Sequence, residues 1–194
     1  MYEDHTLVSQ VLEGDAEAFT LIVRRHETPV YNLALRMLGN PAEAEDASQE
    51  AFLRAYSKLR RYDKTYSFRT WLLSITSNHC IDRLRKRRIK WLSLDEPLST
   101  EDSLKMASSS AGPELVYENS QRERMVQDLL DTLTPEYRAV VILHYWYGMP
   151  YDEIARSLHT TVSAIKSRLY RARRMMAEAA KEETVNHVEM VGGV

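Results

Sequence analysis

Apolar residues return at helical spacing along most of the chain, and a few Gly, Pro, Asn, Ser and Thr residues mark where each run stops. Residues 1–14 predict a short helix closed at Gly14. Asp15 is placed to cap the next helix, whose expected stripe is Phe19, Val23, His26, Val30, Leu33 and Met37. Pro29 is expected to bend that helix, and Gly39 to end it. Asn40-Pro41 then restarts the chain as a cap followed by Pro at the first helical position, with Glu43 and Glu45 in the favourable first turn. This third helix runs to about Leu59, with Ala44, Ala47, Ala51 and Ala55 along one side. A polar loop with aromatic residues, RRYDKTYS (60–67), leads to a helix from Phe68 to about Arg88, capped by Ser67 or Thr70. Its first half is apolar nearly all round (Trp71, Leu72, Leu73, Ile75), and its second half is basic.

From Ile89 to about Ser120 the periodicity disappears into a Ser-rich, acidic stretch ending in Ala-Gly-Pro (111–113), the composition of a linker. Helical spacing resumes from about Asn119 to Leu133, with Val126, Leu129, Leu130 and Leu133 as its apolar edge. Thr134-Pro135-Glu136 opens a further helix to Tyr147, stopped at Gly148. The next stretch, PYDEIARSLHTTVSAIKSRLYRARRMM (150–176), predicts two helices joined by a tight turn, the pattern of a helix-turn-helix. The reading is therefore all-α: one helical domain over 1–88, a linker over 89–120, a second helical domain over 121–180, and a tail over 181–194 expected to fray.

Composition supports this class. Hydrophobic residues make up 44% of 194, enough for real cores, while only six Gly and six Pro interrupt them. The net charge of −2 does not advertise nucleic acid, but its distribution does. One basic group spans Arg83, Arg85, Lys86, Arg87, Arg88 and Lys90; a second spans Lys166, Arg168, Arg171, Arg173 and Arg174; acids dominate between Asp95 and Glu118. A single cysteine excludes an internal disulfide and a Cys-based metal site, and the six histidines show no ligand spacing. The early acids exclude a signal core, and no apolar run is long enough to cross a bilayer. These features predict a soluble, cytosolic protein without cofactor or metal.

Several side chains stand out for chemistry. Asp46, Gln49, Glu50 and Leu53 share one side of the third helix; the residues alone favour a solvated polar face there. Trp71, Asn78, Asp82 and Arg85 fall on one side of the fourth helix, next to the aromatic loop. Rings that stack bases beside guanidiniums that meet phosphates suit single-stranded DNA. A structural Trp with a solvated basic end fits the same residues equally well. Leu73, Cys80 and Leu84 fall opposite, so Cys80 is a small core residue; His79 beside it points elsewhere and forms no catalytic pair. His26 lies on an apolar stripe as a core-edge histidine.

The order of these blocks resembles that of bacterial extracytoplasmic-function sigma factors, the two-domain group of the sigma-70 family. The resemblance rests on GDAEAF (14–19), AEDASQEAFLRAY (44–56), FRTWLLSITSNHCIDRLRKRR (68–88), LTPEYRAVVILHYWYGMPYDEIARSL (133–158) and AIKSRLYRARRMM (164–176), and covers about residues 10–180. It implies a non-enzymatic role: joining core RNA polymerase, supplying promoter specificity and helping to open the duplex. By that resemblance Asp46, Gln49, Glu50 and Leu53 would dock on polymerase. Trp71, Asn78, Asp82, Arg83, Arg85 and Arg87 would meet the minus-ten element, and Lys166, Ser167, Arg168, Tyr170, Arg171 and Arg173 the minus-thirty-five element. An anti-sigma factor is an expected partner, and the linker would thread the polymerase's RNA channel. Departures from the family pattern at Pro150, Thr161, Ser163-Ala164 and Lys166 suggest a distinct promoter preference. Two other classes compete. A homodimeric operator-binding regulator would explain the helix-turn-helix but not the Asp46/Gln49/Glu50 face, and a helical metal hydrolase lacks a ligand motif.

Overall fold

The computed structural model describes residues 3–92 and 115–191, with side chains described within 3–89 and 121–181. Among these residues the chain forms eight α-helices and no strand: α1 Asp4–Leu12, α2 Ala16–Leu38, α3 Pro41–Lys58, α4 Phe68–Leu92, α5 Leu115–Asp131, α6 Pro135–Tyr145, α7 Tyr151–Ser157 and α8 Val162–Val191. A short 3₁₀ turn, Leu59–Arg61, follows α3.

The helix starts and stops follow local chemistry. The Asp15 carboxylate accepts from the amides of Glu17 and Ala18, satisfying two donors that the first turn of α2 leaves unpaired. Asn40 does the same for Glu43, and Ser67 rather than Thr70 caps α4 by accepting from the Thr70 amide. Gly39 closes α2 in the left-handed region at φ 71°, where a side chain would be strained. α2 continues through Pro29. Its buried line starts at Ala18 and Ile22, one residue earlier than the expected Phe19 and Val23, because α1 covers that side with Leu7, Val8 and Val11.

Three boundaries depart from expectation. α4 passes Arg88 to reach Leu92, α5 begins at Leu115 ahead of Asn119, and α8 runs on to Val191 where a frayed tail was expected. None of the added segments contains a Gly or Pro, so nothing in them stops a helix. In the other direction, α6 ends at Tyr145 rather than Tyr147, and the Gly148 amide turns back to the His144 carbonyl. Residues 93–114 of the expected linker lie outside the described residues.

Two apolar clusters organise the packing. One joins α1 to α4 through Leu7, Ile22, Val30, Phe52, Phe68 and Leu72. The other crosses between the halves of the chain: Leu33, Met37, Leu73 and Ile81 share it with Leu130, Val140, Leu143, Ile154 and Leu169. Polar contacts close the same joint. Arg138 donates to the Met37 carbonyl at 2.7 Å, the Tyr147 hydroxyl donates to the Pro29 carbonyl at 2.6 Å, and the Gln127 amide donates to the Arg36 carbonyl at 3.3 Å.

Burial lowers the pKa of both His26 and His79. At His26 it outweighs the attraction of Asp4, with Arg25 and Arg69 adding to the depression. At His79 Arg54 and Arg83 reinforce burial, against Glu50 and Asp82. The native state therefore binds fewer protons than the unfolded chain, so stability is full above the ordinary histidine value and declines as pH falls below it. Urea unfolding at pH 7.5 and 5.5 should show this loss, and a His26→Gln/His79→Gln variant should flatten the difference.

Candidate nucleic-acid interface

The residues with the most distinctive chemistry gather on α4 and the loop before it. Tyr62, Phe68 and Trp71 form a ring cluster with centroids 5.1–5.5 Å apart, joined by His26 at 5.5 Å from Phe68. Trp71 is thus half-buried and held by its neighbours rather than fully presented, as helical spacing alone suggested. Burial raises the Tyr62 phenol to about 12, so it stays a neutral donor, and it donates to the Tyr66 carbonyl. This bond folds the 62–66 segment beside Trp71.

Trp71, Asn78 and Asp82 line one open cleft of about 570 Å³. Tyr66, Thr70 and His79 line it too, with Arg54, Lys58 and Arg61 along the α3 side. Tyr66 and Arg61 belong to the aromatic loop, but Arg54 and Lys58 come from α3. No spacing on α4 could have pointed to them. Asn78 donates to the Ser74 carbonyl at 2.9 Å and to the Ser157 carbonyl at 2.8 Å, so the far wall of the cleft is α7. Aromatic faces, an amide and a basic wall in one groove can stack a base, read its edge and hold its phosphate.

The basic end of α4 does not share this cleft. Arg83 lies 3.9 Å from Asp46, Arg87 is bonded to Glu43, and Arg85 pairs with Glu136 at 2.5 Å. Arg85 was expected on the face of Trp71, Asn78 and Asp82; it reaches instead into a second cleft, with Ser167, Arg168 and Arg171 of α8. Burial pushes the Glu136 carboxyl up, but hydrogen bonds from its own backbone amide, Arg85 and Thr134, with the Arg85 charge, together leave it below the usual range.

On α8, Ile165, Leu169 and Ala172 are buried, which turns Lys166, Ser167, Tyr170, Arg171 and Arg173 outward. Tyr170 is 64% exposed, while Arg168, three residues from Ile165 and four from Ala172, is half-buried. The turn before α8 holds His159 at φ 50°, a left-handed conformation that His tolerates better than most side chains. Thr161 then caps α8 by accepting from the Ala164 amide at 3.1 Å. α3 presents a third surface: Asp46 and Gln49 are exposed, Leu53 is 66% exposed, and Arg54 bonds Glu50 at 2.6 Å and lowers its pKa. Exposed Tyr56, edge-on to Phe19 with ring centroids 4.9 Å apart, extends that surface, and helical spacing from Leu53 could have found it.

Comparison with known proteins separates the open readings. Sigma-70 region 2 matches residues 22–89 and Sigma-70, region 4 matches residues 123–176. The chain is 34% identical over 179 residues to the ECF RNA polymerase sigma factor SigW of Bacillus subtilis, covering 90% of this chain and 95% of that protein. The chain belongs to the ECF sigma factors of the sigma-70 family. It is 35% identical to SigE of Mycolicibacterium smegmatis over 81% of its own length and 59% of that relative. Two solved structures share the fold: CnrH in complex with the cytosolic domain of CnrY (TM-score 0.65, 23% identity, 92% of this chain and 97% of that one) and RpoE of Bartonella quintana in complex with the anti-sigma factor NepR (TM-score 0.66, 22% identity, 86% and 98%). The protein is an RNA polymerase sigma factor, directing initiation at specific promoters through core polymerase and promoter DNA. The all-α expectation and the recognised family both hold.

Among the described residues no group of His, Cys, Asp and Glu is placed to hold a metal, and no helix is long and apolar enough to cross a membrane. Cys80 is fully buried, and burial pushes its thiol up to about 12. Thiol reagents at pH 8 should leave the native protein unmodified and react fully in urea; rapid native labelling would show that Cys80 is not a core residue.

Proposed function

We propose that the sigma factor uses three separate surfaces, centred on α3, α4 and α8. The Asp46–Gln49–Glu50–Leu53 face of α3 docks on core polymerase. The cleft of Trp71, Asn78 and Asp82 takes an extruded base of the minus-ten element, with Arg83, Arg85 and Arg87 following the strand beyond it. The outward face of α8 enters the major groove at the minus-thirty-five element. One observation carries the reading: the cleft brings Trp71, Asn78 and Asp82 together with the Tyr66 ring. A stacked base is selected by a ring and an amide side by side, and extruding it costs a few kcal/mol that such a site must offset.

Support for the polymerase face comes from its composition, an exposed Leu53 on the same side of α3 as Asp46, Gln49 and Glu50. This is the pattern of an interface with an apolar centre and a charged rim, suited to a basic partner. On α8, position along the helix separates two roles. The N-terminal residues of a recognition helix reach base edges, which assigns Lys166, Ser167 and Tyr170 to readout. Arg171 and Arg173 lie further along and hold phosphate; Arg168 joins them for a different reason, its partial burial setting it back from the outward face. The role is binding, with the chemistry left to polymerase. A regulatory anti-sigma protein covering these faces is the expected partner; CnrH and the Bartonella RpoE share the fold, and RpoE is held by one.

Transcription from a randomised promoter library by core enzyme plus this protein tests the whole reading, and a selected two-part motif is expected. Asp46→Lys should weaken core binding about tenfold, equivalent to ~1.4 kcal/mol, with the circular dichroism spectrum unchanged; normal core binding would remove α3 from the interface. In the same assay Lys166→Ala should relax preference at one minus-thirty-five position by about 1–3 kcal/mol. Arg173→Ala should instead weaken all promoters alike and reduce the salt slope by about 0.9.

A further inference from the structure

We propose that a third cleft, between α2, the start of α4 and the turn after α6, is a binding site for a nucleoside polyphosphate. Its volume is about 500 Å³, within the range of small-ligand pockets. None of its residues belongs to the three surfaces assigned above. Arg25 and Arg36 reach it from α2, and Arg69 from α4. No carboxylate lines it, whereas Asp82 and Glu153 line the cleft of Trp71, and Glu136 lines that of Arg85. Of the three guanidiniums, Arg25 is already paired with Asp4 at 2.5 Å. Arg36 and Arg69 have no carboxylate partner among the described residues, and Arg36 reaches only the Asn32 carbonyl, at 3.4 Å. The cleft therefore holds two uncompensated cations and a third with donors to spare. Guanidiniums bind phosphate oxygens through paired, charge-assisted hydrogen bonds, so this imbalance selects a ligand with several phosphate charges.

The aromatic wall of the same cleft supplies a partner for a base. Trp146 is 38% exposed, and the Arg36 guanidinium lies over its ring, 5.2 Å from the centroid. Arg69 lies over the Tyr147 ring at 5.6 Å. Each ring thus has a cation beside it, so a phosphate received by the guanidinium brings an attached base to an aromatic surface. The Tyr147 hydroxyl donates to the Pro29 carbonyl at 2.6 Å, which fixes this ring against α2. Asn32 also lines the cleft, and its side-chain amide has no hydrogen-bond partner among the described residues. An amide offers both donors and an acceptor, the means to read a base edge. A lone phosphate would use the guanidiniums and leave the rings and the amide idle; a nucleotide uses all three.

The test is isothermal titration of the full chain with magnesium-free ATP and GTP, which should show saturable binding of a single nucleotide per chain. Inorganic tripolyphosphate should bind about tenfold more weakly, since it has no base to stack. An Arg36→Gln/Arg69→Gln variant should lose at least about tenfold in nucleotide affinity. Arg122→Gln/Arg124→Gln, which removes two exposed charges from α5, should leave that affinity unchanged. Trp146→Leu should bring ATP and tripolyphosphate to equal affinity; should this variant fail to fold by circular dichroism, the comparison of ATP with tripolyphosphate on the unaltered protein decides the role of the base. Equal losses in the two arginine pairs would reduce the binding to general charge attraction and overturn the site. Tripolyphosphate bound as tightly as ATP by the unaltered protein, or no saturable binding of either nucleotide, would overturn it as well.

Discussion

Arg138 sits at the joint on which the arrangement of this chain depends. Its guanidinium is nearly buried, donates to the Met37 carbonyl at the end of α2, and pairs with Asp131 at 2.6 Å. Burial lowers its pKa while the neighbouring Asp131 carboxylate raises it; the guanidinium stays charged, and its two partners offset the cost of burying that charge. Around it, Leu33 and Met37 of α2 and Leu73 and Ile81 of α4 meet Leu130, Val140 and Leu143 of the second half. An uncompensated cation there would be strongly destabilising, whereas a paired one fixes how α6 lies against α2. That placement determines where α7 and α8 can go, since both pack on α6.

From the joint outward, helical periodicity separates the surfaces. Each helix gives one stripe to the core and leaves the opposite one free. On α3 the alanines face inward, leaving Asp46, Gln49 and Leu53 outside. On α8 Ile165, Leu169 and Ala172 face inward, leaving the basic and tyrosyl side chains outside. α4 is different because both of its sides are used. Leu73, Cys80 and Ile81 enter the shared core, while Trp71, Asn78 and Asp82 form the wall of a cleft whose other wall is α7. A helix apolar nearly all round in its first half is what such double packing needs.

Most of this architecture was readable in the chain. Caps at Asp15, Asn40 and Ser67, glycine stops at Gly14, Gly39 and Gly148, and the 3.6-residue stripes located the helices, because each signal acts within a few residues of itself. The buried roles of His26 and Cys80 followed from the same stripes. Helix ends were misjudged where polar composition suggested a linker or a frayed tail but no residue broke the helix, as beyond Arg88 and Lys181. Composition argues about average burial, while a helix end is decided by the next backbone hydrogen bond.

The sequence by itself determined the helices, their inward faces, the separated basic and acidic stretches and the family. Only the tertiary structure decided which of those side chains meet. Asn78 meets Ser157 and Arg85 meets Glu136 across 79 and 51 residues of chain. Arg85 parts from Trp71 although spacing put them on one side, because a long flexible side chain follows its charge partner rather than its helix face. Contacts between distant segments depend on how two apolar faces fit, and no local pattern encodes that fit.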